Sequence, residues 1–172
     1  QANALMAEDA ETPSQRQLTQ MVSDNVERLK RIVDDVMEVA PGGPATTAPV
    51  IDLTALVGSV CSEWARTARL PLDERSVLRV TLPQHALATR FDPDHLRRVL
   101  VNLLDNAHRH ASGKPGSVLV HLYEDGDDVV TLSVASDGDP IPPDVERYLF
   151  EPFFSTRSRG TGLGLYICKE LC

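Results

Sequence analysis

"DPDHLRRVLVNLLDNAHRHA", Asp92 to Ala111, reads as a helix with two faces. Asp92 has the chemistry of an N-cap, and Pro93 sits at the first helical position, where its missing amide costs nothing. Leu96, Val99, Leu100, Leu103, Leu104 and Ala107 form one apolar stripe that must enter a core. Asn102, Asn106, Arg109 and His110 fall together on the adjacent stripe, at i, i+4, i+7 and i+8. Asparagine is a mediocre helix former, so two on one face invite explanation. A carboxamide oxygen can ligate a hard cation such as Mg²⁺, its NH₂ can donate to phosphate, and Arg109 adds a fixed positive charge one turn on. A solvated polar face is the plain alternative, and this helix alone does not choose between them.

Toward the C-terminus, "LFEPFFSTRSRGTGLGLYICKELC", Leu149 to Cys172, places Phe150, Phe153 and Phe154 before Gly160, Gly162 and Gly164. An apolar helical pattern then runs from about Gly162 to the end. Glycines that open a helix expose N–H groups and the positive end of its dipole, which together suit an anion. The run is not a GxxxxGK[ST] loop, and the strand that should precede a Rossmann fingerprint is missing. Between the two stretches, "VASDGDPIPPD", Val134 to Asp144, follows a strand and turns at Gly138, where a flat ligand could approach; most such stretches are simple turns.

The remaining pattern mixes strands and helices. "PVIDL", "SVLRVTLP" and "ALATRF" read as strands, "TALVGSVCSEWARTARL" as an amphipathic helix and "PPDVERYLF" as a short one. "SVLVHLYEDGDDVVTLSVAS" reads as a hairpin turning at Asp125-Gly126-Asp127. Neighbouring antiparallel strands among helices predict an α+β layered domain. Upstream, residues 14–40 predict one long helix. Its seam runs through Leu18, Val22, Asn25, Leu29, Ile32, Val36 and Val39 and is widened by Met21, Val26 and Val33, so it needs a bundle. "QANALMAEDAETPSQ" resembles the end of another helix and a turn at Thr12-Pro13. "PGGPATTAP", Pro41 to Pro49, reads as a linker.

Bulk properties exclude some functions. The 172 residues, 42% hydrophobic and 24% charged, suffice for one core and an extra element. A net charge of −8 argues against general nucleic-acid or anionic-membrane binding. Cys61, Cys168 and Cys172 form no CxxC pair and read as reduced thiols of a cytoplasmic setting. No apolar run approaches the roughly 20 residues of a membrane span. The start at Gln1 predicts a piece of a longer chain. His85, His95 and His121 are scattered and read as surface or strand-face residues; His108 adds no ligand spacing; Trp64 reads as packing.

In order, "NLLDNAHRH", "SDGDPIP", "FEPFF" and "GTGLGL" resemble the N, G1, F and G2 boxes of the histidine-kinase ATPase family, whose fold is shared with gyrase, Hsp90 and MutL. The resemblance covers Pro49 to Cys172. The short F-to-G2 spacing is similar to that of pilus-regulating and nitrogen-regulation sensors, and the upstream hairpin resembles their dimerisation and phosphotransfer domain. The resemblance implies a two-layer α/β sandwich of the Bergerat type, with a mixed sheet packed by helices, at residues 50–172, lacking C-terminal strands. It implies a partial dimerisation hairpin at residues 1–40 and a linker at 41–49.

The same resemblance implies the site and its chemistry. Asn106, helped by Asn102, would hold Mg²⁺ against the phosphates of ATP. Arg109 would contact phosphate and His110 would lie beside the nucleotide. Ser136, Asp137 and Gly138 would meet the base. Gly160, Thr161, Gly162, Leu163 and Gly164 would give backbone room and N–H donors. Phe150, Phe153 and Phe154 would anchor a lid, Ser155 to Arg159, whose Arg157 and Arg159 could meet the γ-phosphate. The implied activity is protein-histidine kinase, with a response regulator and a second copy as partners and the membrane reached only through other regions.

This chain departs from the family pattern in three ways. Ser136 stands where the family carries the Asp that reads the adenine amino group, with Asp137 one residue late and Pro140 at the second G1 glycine. No histidine has the phosphoacceptor context, an acidic residue next and Pro five on, so the acceptor is expected upstream of Gln1. The chain also ends inside the last helix. Two alternatives follow: a degenerate, non-catalytic nucleotide-binding or dimerising module, and an ATP-hydrolysing clamp. The clamp is disfavoured by the hairpin, the short lid and Asn102, where clamps carry Glu.

Overall fold

The computed structural model describes residues 13–39, 48–71, 73–126, 129–155 and 161–172. A long helix, α1 (Pro13–Val39), precedes a mixed domain. There, β1 (Val50–Asp52) leads into α2 (Leu53–Thr67), followed by β2 (Leu78–Thr81), β3 (Ala88–Arg90) and α3 (Pro93–His110). The hairpin β4 (Val118–Asp125) and β5 (Val129–Ser136), a single-turn α4 (Pro143–Glu146) and α5 (Gly164–Leu171) complete the chain.

Helix starts are set by local chemistry. Asp52 accepts a hydrogen bond from the Ala55 amide at 3.1 Å, which fixes the entry to α2. Asp92 accepts from the amides of Asp94 at 2.9 Å and His95 at 3.0 Å and so begins α3 as its sequence predicts. The amide bond from His95, aided by that from Asp94, holds the Asp92 carboxyl below its usual range.

The strands form two sheets. β1 and β3 make an antiparallel pair with Ile51 opposite Thr89. β2, β4 and β5 make a mixed sheet in that order: β2 runs parallel to β4, and β5 returns antiparallel with Leu132 opposite Leu122. Alternation along β4 sends Val118, Val120 and Leu122 inward, each essentially closed to solvent. They share one core with Val57 and Val60 of α2 and Leu100 and Leu104 of α3. Two helices thus lie on one face of a mixed sheet, the α+β arrangement expected. Trp64 belongs to this core, and its indole N–H donates to Asp105 Oδ1 at 2.7 Å, tying α2 to α3.

Two helices differ from expectation. The Pro142–Phe150 segment is helical only over Pro143–Glu146, and single turns closed by bonds to the residue three before continue to Phe154. None of the four helical residues is buried, and a helix without a packed face has little to extend it. The last helix begins at Gly164, not Gly162, because Gly162 has φ +72° and cannot belong to a right-handed helix.

The long helix spans Pro13–Val39, within a residue of expectation. Leu18, Met21, Val22, Val26, Leu29 and Val33 of its seam are exposed, and Leu18 keeps 62% of its surface. The expected first arm at residues 1–12, residue 40 at the end of the long helix, most of the linker (residues 41–47) and Asp127 of the hairpin turn lie outside the described residues. Among the described residues, no helix is long and apolar enough to cross a membrane. The three cysteines are free. Burial pushes the thiols of Cys61 and Cys168 up to about 11, so neither is a thiolate at neutral pH.

Candidate functional site

The polar stripe of α3 stands on a fixed base. Leu96, Val99, Leu100, Leu104 and Ala107 anchor the adjacent stripe in the core, whereas Leu103, expected with them, is only half-buried. Asp105 is held by Trp64, and Arg97 pairs with Glu63 of α2. His108 places its ring edge-on to Trp64 with centroids 5.5 Å apart, which makes it a packing residue. Asn102 and Asn106 are half-buried, whereas Arg109 and His110 are exposed. Neither carboxamide is hydrogen-bonded among the described residues, so both have oxygens and amides to offer.

Three close approaches bring the four motifs to this stripe. Gly138 lies against the exit of α3, where a Cβ on it would fall 2.4 Å from the His110 carbonyl oxygen. Gly164 faces the side chain of Asn102, with its Cβ position 3.5 Å from Oδ1. Gly162 lies against the backbone of Phe153 and Phe154, where a Cβ would come within 2.4 Å of the Phe153 carbonyl carbon. The turn after β5 therefore converges on the exit of α3, while the glycine run converges on Asn102 and carries the phenylalanine segment with it.

The start of α5 adds a helix end whose chemistry suits an anion. Leu163, buried, occupies the cap position, and no side chain caps the first turn. The first amides of α5 have no intrahelical acceptor, and they lie at the positive end of the helix dipole beside Asn102. Thr161 Oγ1 accepts from the Leu163 amide at 3.3 Å and shapes the approach. Ile167 and Cys168 hold α5 against α3, with Cys168 Sγ 3.7 Å from the Val99 carbonyl.

A model of the histidine kinase-, DNA gyrase B- and HSP90-like ATPases matches residues 91–172, the span of this convergence. The chain carries an ATPase domain of that family. It is 36% identical over 170 residues to the sensor protein kinase PilS of Pseudomonas aeruginosa, covering 96% of this chain and 31% of the relative. It is 31% identical over 157 residues to the sensor histidine kinase ZraS of Salmonella typhimurium, covering 90% of this chain and 32% of the relative. The chain spans about a third of the length of these curated relatives. Among solved structures, it resembles the nucleotide-free catalytic domain of histidine kinase ThkA with TM-score 0.58 and 29% identity, over 73% of this chain and 80% of that one. It also resembles full-length ShkA in complex with AMPPNP, with TM-score 0.64 and 25% identity, over 99% of this chain and 36% of that one.

Within the ATPase domain, the aromatic anchor is narrower than the sequence suggests. Phe154 is half-buried and packs against Tyr148, centroids 5.6 Å apart, whereas the side chains of Phe150 and Phe153 are largely exposed. Phe153 contributes its backbone, with φ +64°. Arg157, Arg159 and Gly160 lie outside the described residues.

In the turn after β5, the Ser136 side chain is exposed and the Asp137 carboxylate is engaged. Asp137 accepts from the Ser112 amide at 2.9 Å and from the Ser112 hydroxyl at 2.6 Å. These bonds, the hydroxyl's first, hold its carboxyl below the usual range. Sequence reasoning missed Ser112, since nothing local marks a serine as the partner of a carboxylate 25 residues away. Among the described residues, no cluster of His, Cys, Asp and Glu could hold a metal ion. A cation here would rely on the Asn106 and Asn102 oxygens and on oxygens brought by a ligand. That donor set suits Mg²⁺, which keeps waters and phosphate oxygens in its shell.

Proposed function

We propose that this chain is the nucleotide-binding catalytic part of a two-component sensor histidine kinase, with a partial dimerisation hairpin at residues 1–40, a linker at 41–49 and the kinase domain at 50–172. The observation that supports this reading best is the pair of close approaches along one helix: Gly164, at the uncapped start of α5, lies against Asn102, and Gly138 lies against the exit of the same helix at His110. ATP would lie with its phosphates against those amides and its base toward Ser136 and Gly138. Asn106 and Asn102 would hold Mg²⁺, which supplies charge neutralisation on the phosphates. Arg109 adds a positive charge at the exposed end of the stripe, and His110 would lie beside the nucleotide.

The reaction proposed is attack by a histidine nitrogen of the dimerisation domain on the γ-phosphorus, with cleavage of the bond to the β-phosphate oxygen. ADP leaves and the imidazole proton goes to solvent. The phosphoryl group then passes to an aspartate of a response regulator. The protein contributes mostly position and charge. A second copy would cover the exposed seam of α1 in a four-helix bundle. Any membrane contact would come through regions outside these residues.

Calorimetry with ATP, with and without Mg²⁺, tests the site. Binding should require the cation, and Asn106→Ala should remove most of it; equal affinity of wild type and variant would overturn the assignment. Ser136 and Pro140 favour a second reading, a module that binds nucleotide without transferring phosphate. A chain extended upstream to include the acceptor histidine decides between them: label from γ-labelled ATP appears on it in the first case and not in the second.

A further inference from the structure

We propose that Asp137 is a positioning residue: its carboxylate, gripped by the amide and hydroxyl of Ser112, buckles the turn after β5 onto the exit of α3. The inference rests on the nucleotide-site reading only for its functional consequence. The buckle itself stands on contacts within the protein.

The two ends of the buckle come from distant sequence and meet at several points. Ser112 gives Asp137 two bonds, one to each carboxylate oxygen. The Asp137 amide donates to the Ser117 carbonyl at 3.1 Å, so the same residue is tied at both ends of the segment joining α3 to β4. That segment is itself anchored. The Gly116 amide donates to Ser76, the Val118 amide donates to Val77, and Ser117 is buried. It reverses through Gly113 at φ +77° and Gly116 at φ +74°. The next residue of the turn, Gly138, is pressed against the His110 carbonyl. Consecutive residues 137 and 138 thus clasp residues 110 and 112.

This geometry assigns different work to neighbouring residues. A carboxylate whose two oxygens already accept from Ser112 is turned toward the helix exit and is poorly placed to read a base. Ser136, exposed and one residue earlier, keeps its hydroxyl for a ligand. Asp137 sets where Ser136, Gly138 and His110 stand relative to one another. Its loss should therefore weaken binding of every nucleotide alike, because the wall moves while its chemistry stays the same.

The test uses the whole 172-residue chain in two arms. Hydrogen exchange without nucleotide reads the buckle directly. Asp137→Ala should speed exchange of the Ser112 amide about tenfold, and Ser112→Ala, which keeps the amide bond, should give a smaller change. Asp137→Asn should rescue, because its carboxamide can accept from the amide and donate to the hydroxyl. Calorimetry with Mg²⁺ and either ATP or GTP reads the consequence. Both affinities should fall about three- to tenfold in Asp137→Ala with their ratio unchanged. The double variant Asp137→Ala/Ser112→Ala should be no worse than Asp137→Ala alone. Unchanged exchange in Asp137→Ala, failure of Asp137→Asn to rescue, or a shifted ATP-to-GTP ratio would each overturn the proposal, the last by making Asp137 a base reader. If the wild type binds neither nucleotide, the site reading fails, and the exchange arm still decides the buckle.

Discussion

Two glycine turns frame the candidate site, and each presses backbone against backbone for a different reason. At Gly162 the chain takes φ +72° and lies on the carbonyl of Phe153. At Gly138 the φ is outside the left-handed region, and only the carbonyl of His110 forbids a side chain. The first glycine answers a conformational demand and a steric one together; the second answers a steric one alone. Gly164, two residues past Gly162, answers neither, since its Cβ position meets Asn102 at ordinary contact distance. The glycine-rich appearance of a motif therefore hides three different situations, and substitution can separate them.

The largest effect should come from Gly162→Ala. A left-handed alanine costs about 1–2 kcal/mol, and the overlap with Phe153 adds about 1–3 kcal/mol. Urea unfolding should show a loss near the sum. Gly162→Asn, which tolerates left-handed φ better, should recover only the first share. Full recovery would mean that the Phe153 contact relaxes freely.

Gly138→Ala should cost less, about 1–3 kcal/mol from overlap alone. Its nucleotide affinity should also fall, because the exit of α3 must move to make room. An unchanged unfolding midpoint would show that the turn can withdraw from His110.

A third measurement asks whether α3 is held from its start as well as its exit. Asp92→Ala should cost about 1 kcal/mol by removing the cap. The native carboxyl titrates below its unfolded value, so the cap's charged bonds contribute above the usual carboxylate range. That contribution is lost as pH falls through the lowered native value. The gap between wild type and Asp92→Ala should therefore narrow in acid, and a gap that widens there would contradict the capping account.

Gly164→Ala should change stability least, within about 0.5 kcal/mol, because the added methyl meets only van der Waals contact. If this glycine serves ligand approach, nucleotide affinity falls while the unfolding midpoint stays. A loss of stability like that of Gly162→Ala would erase the distinction between the two glycines.

Much of this was legible because it is local. The Asp92 cap, the two faces of α3 and the inward alternation of β4 depend on residues within a few positions of one another. Their outcome in the fold matches their pattern. The four motifs were legible as an ordered set. Their contacts were not. The sequence places the start of α5 two residues early because the glycine run continues the helical pattern, while the bend of Gly162 occurs beside Phe153. The sequence predicts too long a helix after Pro142, because the absence of a buried face over Pro143–Glu146 is decided only by packing.

By itself the sequence determined the helix caps, the periodicities and the family, since each follows from residue types at short or fixed spacing. The tertiary structure alone decided that Trp64 would hold Asp105 across 41 residues and that Asp137 would turn to Ser112 across 25. It also decided which of the glycines had no room for a side chain. The physical reason is that a hydrogen-bond partner or a steric limit belongs to a pair of groups. When the chain between them is long, only the packing of the layers determines that the pair will meet.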